Sequence, residues 1–121
     1  MDKSMPPRRV SSEIEVTLHM IGGKFKPLIL YALCEHSPKR FSELQRFLQN
    51  ASQKTLTNQL RELSRDGLVT RTVFAEVPPR VEYSVTEKGM TLLPLLEHMC
   101  AWGEKNMDGR FILTNPQCEN E

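Results

Sequence analysis

Long apolar runs are missing from this chain of 121 residues. The longest, "PLILYALC" at 27–34, falls far short of the ~20 residues that a membrane-spanning helix needs. Cysteine is sparse too: Cys34, Cys100 and Cys118, an odd set without framework spacing, which argues against an exported disulfide scaffold. The opening "MDKSMPPRRV" lacks the apolar core of a secretion signal. The expectation is a soluble protein of the cytoplasm. An excess of one charge is also lacking. The formal net charge is +1, so the total does not by itself announce a nucleic-acid partner. No Ser–His–Asp arrangement, paired-carboxylate site or phosphate-binding glycine loop is evident. Catalysis has no residues to rest on, and neither an enzyme nor a cofactor is expected. Cys34 with His36, and His98 with Cys100, are each two apart. On a helix that spacing puts side chains roughly 200° apart, unsuited to a tetrahedral metal, so no metal site is expected.

What is present suits a single globular domain: 39% hydrophobic and 26% charged residues, at a length typical of one domain. The distribution of charge says more than its sum. From Lys39 to Arg71 there are seven cations (Lys39, Arg40, Arg46, Lys54, Arg61, Arg65, Arg71) and three anions (Glu43, Glu62, Asp66), a difference of +4. A local basic surface on a near-neutral chain attracts phosphate.

Residues 1–10, with Pro6-Pro7 and Arg8-Arg9, read as a disordered basic arm. A domain is expected over 11–107, and a loose tail over 108–121. Ile14, Leu18 and Ile21 recur at helical spacing after Ser12, a natural N-cap. Gly22-Gly23 ends that helix. A second begins near Phe25, with Pro27 tolerated in its first turn, and is apolar around most of its circumference, as a core helix is. "EHSPKR" breaks it. In "RFSELQRFLQN", Ser42 with Gln45 reads as a capping box for a short third helix. A fourth, over 52–66, starts on Ser52 and places Leu56, Leu60 and Leu63 on one stripe; Gly67 closes it. Strands follow over 68–75 and 80–85, the second alternating Val81, Tyr83 and Val85 with polar residues. Thr86 then caps a last helix to about Asn106, with a kink or a local loss of hydrogen bonding expected at Pro94.

A short capped helix, a tight break and an amphipathic helix make a helix-turn-helix. The 68–85 hairpin after it makes the motif winged. Its tip, "VPPR", has no Asn-Gly or Asp-Gly turn. Prolines cut the freedom of the tip, so less entropy is lost on docking, and Arg80 offers a cation beside it. With the leucine stripe turned inward, Gln53, Lys54, Thr57, Asn58 and Arg61 fall largely outward. Gln and Asn can bond bidentately to adenine, and Arg and Lys to guanine, in the major groove. No acidic residue appears on this helix before Glu62. The fold class is mainly α with a small β-hairpin.

The pieces "IGGKFKPLIL", "RFSELQRFL", "KTLTNQLRELSRDGLVTR", "EVPPRVEYSVTEKG" and "LLPLLEHMCAWG" stand in an order that resembles the HxlR-type winged helix-turn-helix transcriptional regulators of bacteria, relatives of the MarR group. The resemblance runs from about Leu18 to Gly103. It implies a dimeric DNA-binding regulator whose fourth helix enters the major groove, the wing lying along the neighbouring minor groove. Carried over, Gln53, Lys54, Thr57, Asn58 and Arg61 face bases, Arg80 is the wing contact, and Lys24, Lys39 and Arg40 touch the backbone. The chain departs from the family where many members carry a cysteine followed by proline before the first helix. Here Ser12-Glu13 stand at that place, which removes support for oxidant sensing there.

The last helix carries apolar residues around most of its surface, more than one small domain can cover. A two-fold dimer through the terminal helices is expected, with Ile14, Leu18, Leu92, Leu96, Met99 and Trp102 in the interface. Cys34 and Cys100 read as small buried groups, and Cys118 as an exposed thiol. Two alternatives stand beside the leading reading. One is a redox- or small-ligand-responsive regulator with an effector pocket at the dimer interface. The other is a winged-helix module that binds protein.

Overall fold

The computed structural model of the protein describes residues 6–118. Residues 1–5 of the expected basic arm and 119–121 of the expected tail lie outside that range. Helix α1 spans Glu13–Ile21, with Ser12 at its N-cap position and Gly22 at its C-cap. A Cβ at Gly22 would collide with the Leu18 carbonyl oxygen, so the chain turns out of α1 only where the side chain is a hydrogen. Helix α2, Lys26–Glu35, carries Pro27 in its first turn, where the missing N–H has no intrahelical partner to lose.

Next comes a short strand that the sequence does not announce. β1, Lys39–Arg40, pairs antiparallel with the later strand β3 through Lys39 opposite Tyr83 and Arg40 opposite Glu82. Helix α3, Phe41–Phe47, follows at once. Its start corrects the expected capping box. The helix begins one residue before Ser42, so Ser42 and Gln45 sit inside it. Glu43 does the capping, its carboxylate accepting from the Arg40 backbone N–H at 2.8 Å. Helix α4, Gln53–Arg65, opens as expected: the Ser52 hydroxyl accepts from the Thr55 N–H at 3.1 Å. It closes at Gly67, whose φ of 79° is in the left-handed region that glycine occupies without strain.

Strands β2, Val69–Phe74, and β3, Arg80–Val85, form the hairpin, paired from Val69 opposite Val85 to Phe74 opposite Arg80. The sheet order is β1-β3-β2. The expected single last helix is two. Thr86 caps α5, Glu87–Met90, by accepting from the Gly89 N–H at 3.0 Å. A fresh helix α6, Leu93–Lys105, then starts with Pro94 in its first turn. Proline clashes with the carbonyl four residues back, and the chain resolves this with a break at Thr91–Leu92, the stronger of the two expected disturbances.

One core unites these elements. Ile29, Leu30 and Leu33 of α2 pack with Leu44 and Leu48 at α3, the three leucines of α4, and Leu68 at the entry to β2. This is a winged helix-turn-helix: α3 and α4 are the two helices of the motif, and β2–β3 is the wing.

Candidate nucleic-acid interface

The leucine seam fixes which side of α4 is free. Leu56, Leu60 and Leu63 are buried to 1% exposure or less, so the opposite side faces water. Gln53, Lys54 and Arg61 are fully on that side, while Thr57 and Asn58 are half-buried at its margin. Asn58 and Arg61 meet one turn apart, Oδ1 accepting from Nη1 at 3.5 Å. Five expected base-facing residues therefore share one helix, three projecting outward and two flanking.

The far end of α4 is tied to the wing. The Thr86 hydroxyl donates to the Gly67 carbonyl at 2.6 Å, and Lys88 Nζ donates to the Asp66 carbonyl at 2.9 Å. Carbonyls at a helix C-terminus have no intrahelical donor, and a cation there also complements the helix dipole. The chain leaving the wing thus supplies the partners. At the same corner, Gly89 lies so close to the Leu68 carbonyl and Val85 Cγ2 that a Cβ would overlap both.

Arg80 is not an idle cation at the wing tip. Its guanidinium stacks over the Phe74 ring with 4.0 Å to the centroid. It also pairs with Glu76 at 3.0 Å and Glu82 at 3.4 Å. The tip beyond it, Glu76 through Pro79, is exposed. Of the expected backbone contacts, Lys24 is exposed near the Phe25 ring, Arg40 is exposed on β1, and Lys39 is half-buried. Arg71 is exposed on β2 opposite Tyr83, a wing cation that the residue pattern did not single out.

Lys26 was also missed. It is the one charged residue among the buried ones in the described range, at 5% exposure, and its Nζ lies 2.6 Å from Glu62 Oε1 on α4. Glu62 is the only carboxylate of α4. The hydrogen bond from Lys26 holds its carboxyl below the usual range, against the opposing effect of burial. A lone lysine inside "FKPLILYALC" was the available signal.

Of the expected interface residues, Ile14 of α1 and Met99 of α6 are exposed, as are Leu18 at 61% and Trp102 at 70%. Leu96 differs: it is 3% exposed within its own protomer, and Leu92 is half-buried beside it. The cysteines also correct expectation. Cys100 and Cys118 form a disulfide that closes a separation of 18 residues. The segment after α6 is tied down further by Asn115, whose Nδ2 donates to the Phe47 carbonyl at 2.9 Å. Beneath it runs a groove of about 550 Å³ lined by Phe25, Leu28, Leu48, Met99, Trp102 and Phe111 among others. Cys34 is free, and burial raises its thiol pKa, with Glu35 and Glu97 adding to the rise. Among the described residues, no group of three or more His, Cys, Asp or Glu could hold a metal. No helix there is long and apolar enough to cross a membrane.

The winged helix-turn-helix, with one polar helix face beside a hairpin, defines the class of transcriptional regulators that carry this domain. Residues 20–111 match the HxlR-like helix-turn-helix family, and the chain belongs to that family. It is 53% identical over 92 residues to the HTH-type transcriptional regulator BH0655 of Halalkalibacterium halodurans, covering 76% of this chain and 81% of that one. It is 44% identical over 115 residues to YkvN of Bacillus subtilis, also an HTH-type transcriptional regulator, covering 91% and 97%. Among solved structures, the redox regulator HypR in its oxidised form superposes with a TM-score of 0.75 at 47% identity, covering 80% of this chain and 99% of that one.

Proposed function

We propose that this transcriptional regulator binds duplex DNA as a cytoplasmic homodimer. In this reading α4 enters the major groove and the β2–β3 wing follows the neighbouring minor groove. The observation that carries it is the free side of α4. It presents Gln53, Lys54 and Arg61 to water, with Thr57 and Asn58 at its edge, and the helix's only carboxylate is engaged by Lys26. Such a face offers donors to base edges and no uncompensated negative charge to phosphate. Phosphate contacts from Lys24, Lys39, Arg40 and Arg71 would supply affinity, and the α4 residues specificity. Arg80 would reach a phosphate by exchanging Glu76 for it.

The dimer reading rests on the exposed apolar residues Ile14, Leu18, Met99 and Trp102 on the first and last helices. Two-fold symmetry would set the two α4 helices about 34–36 Å apart on a pseudo-palindromic operator. Footprinting of the promoter beside its own gene tests the whole. Protection of two half-sites one turn apart, with affinity falling steeply as salt is added, is the expected result. Salt-insensitive or absent duplex binding would favour the protein-binding alternative, and a monomer at micromolar concentration by light scattering would remove the symmetric operator.

A second reading is favoured by one observation. The Cys100–Cys118 disulfide and the groove beside it suit a regulator that responds to thiol oxidation or to an apolar ligand. Operator affinity that differs between the oxidised and reduced protein would support it.

A further inference from the structure

We infer that Lys26 is a positioning residue for the DNA-reading helix: its buried ammonium holds Glu62 against α2, away from the duplex, and so fixes the roll of α4. This rests on the proposal that α4 reads DNA.

Three observations converge on it. First, the location of Lys26 is unfavourable by itself. An ammonium at 5% exposure has lost most of its water. It also stands in the first turn of α2, where the helix dipole disfavours a cation. A partner at 2.6 Å is what offsets both costs. Secondly, that partner is Glu62, one residue beyond Arg61 and one turn beyond Asn58 on α4, whose sequence contains no other acid. A released carboxylate there would face the same phosphates that the neighbouring cations attract, and like charges at such range repel. Thirdly, the leucine seam limits the roll of α4 only by packing. The Lys26–Glu62 bond adds a directional contact near its outer edge. Lys26 is thus a cation of the DNA-binding domain that does not itself contact DNA.

The test is fluorescence anisotropy with the promoter duplex, and with a scrambled duplex of equal length, across a salt series. Four proteins are compared: wild type, Lys26→Met, Glu62→Gln and the double variant. Lys26→Met should weaken promoter binding by about tenfold, within the range for directly coupled pairs. Any fall in its log–log salt slope should be reversed in the double variant, because Glu62→Gln removes the released carboxylate, whereas loss of a phosphate-contacting cation lowers the slope by about one in both. The double variant should recover the part of the affinity loss that the carboxylate causes and keep the part due to the missing bond. A slope still lowered by about one in the double variant, or a double variant as weak as Lys26→Met, overturns the inference.

Should Lys26→Met fail to fold, nitrogen NMR of the lysine ammonium groups in the wild type decides. On adding promoter duplex, the Lys54 signal should move and the Lys26 signal should stay. Equal movement overturns the positioning role. Wild type showing no salt-dependent duplex binding overturns the DNA reading itself and this inference with it. The Lys26–Glu62 pair would then still be visible in the free protein as a protected ammonium signal.

Discussion

Opening the Cys100–Cys118 disulfide should cost the protein a definite share of its stability. The bond closes a separation of 18 residues. In the chain-entropy description, a loop of about that length removes ~11 cal/mol/K from the unfolded ensemble, or about 3 kcal/mol at room temperature. For a chain of this size the unfolding entropy translates that into a fall in Tm of about 12 °C. The full effect requires the segment after α6 that Cys118 ties back, here called the strap, to unfold together with the core, and two contacts support this. Cys100 packs against the core from α6, and Asn115 bonds to the end of α3 through the Phe47 carbonyl. The assay is thermal unfolding by circular dichroism of wild type with and without a dithiol reductant, and of Cys118→Ser. Trypsin cleavage after exposed Arg110 follows the strap directly and should accelerate on reduction. Melting curves that coincide within a degree or two in all three samples, with unchanged cleavage, would refute the reasoning. The strap would then be no part of the cooperative unit.

Four further outcomes are expected. Asn58→Ala or Arg61→Ala should weaken promoter binding by ~1–3 kcal/mol per lost base contact with Tm unchanged, as read by anisotropy and circular dichroism. Gly89→Ala should destabilise the fold by about 1–3 kcal/mol, the range for overpacking, because a Cβ meets the Leu68 backbone; denaturant unfolding measures it. Arg80→Ala should lower affinity for any duplex, because it removes a cation and uncovers the Glu76 and Glu82 carboxylates; promoter and scrambled duplexes should lose equally in anisotropy. Glu62 titrates lower in the folded chain than its ordinary 4.5. Its contribution to stability is therefore complete above that value and fades as pH falls through the lower folded pKa. A pH series of unfolding midpoints should show this acid-side loss, and it should shrink in Glu62→Gln.

Much of the fold was legible because it is locally encoded. The Leu56–Leu60–Leu63 spacing, the Ser52 cap, Gly67 and the alternation in β3 each report on neighbours within a turn or a pleat. What escaped depends on partners distant in sequence. β1 is only Lys39 and Arg40, too short for a period, and exists because β3 lies alongside. The start of α3 moved because that pairing holds Arg40 extended, leaving Glu43 to cap. Cys118 meets Cys100 across 18 residues, which no spacing rule specifies. At the site, the outward face of α4 followed from the helical period. The engagement of Arg80 by Glu76 and Glu82, the burial of Lys26, and the inward turn of Leu96 are tertiary outcomes that residue type does not reveal.

The hydroxyl of Thr86 and the ammonium of Lys88 hold the carbonyls of Gly67 and Asp66, at and just past the end of α4, from the residues just after the hairpin. Helix α4 and the wing are consequently joined at this corner as well as through the turn into β2. A displacement of β3 would therefore be felt at the end of α4, so that the hairpin acts as a lever on the helix; if the proposed mode of DNA binding holds, a groove that moves the wing would also move the outward side chains of α4.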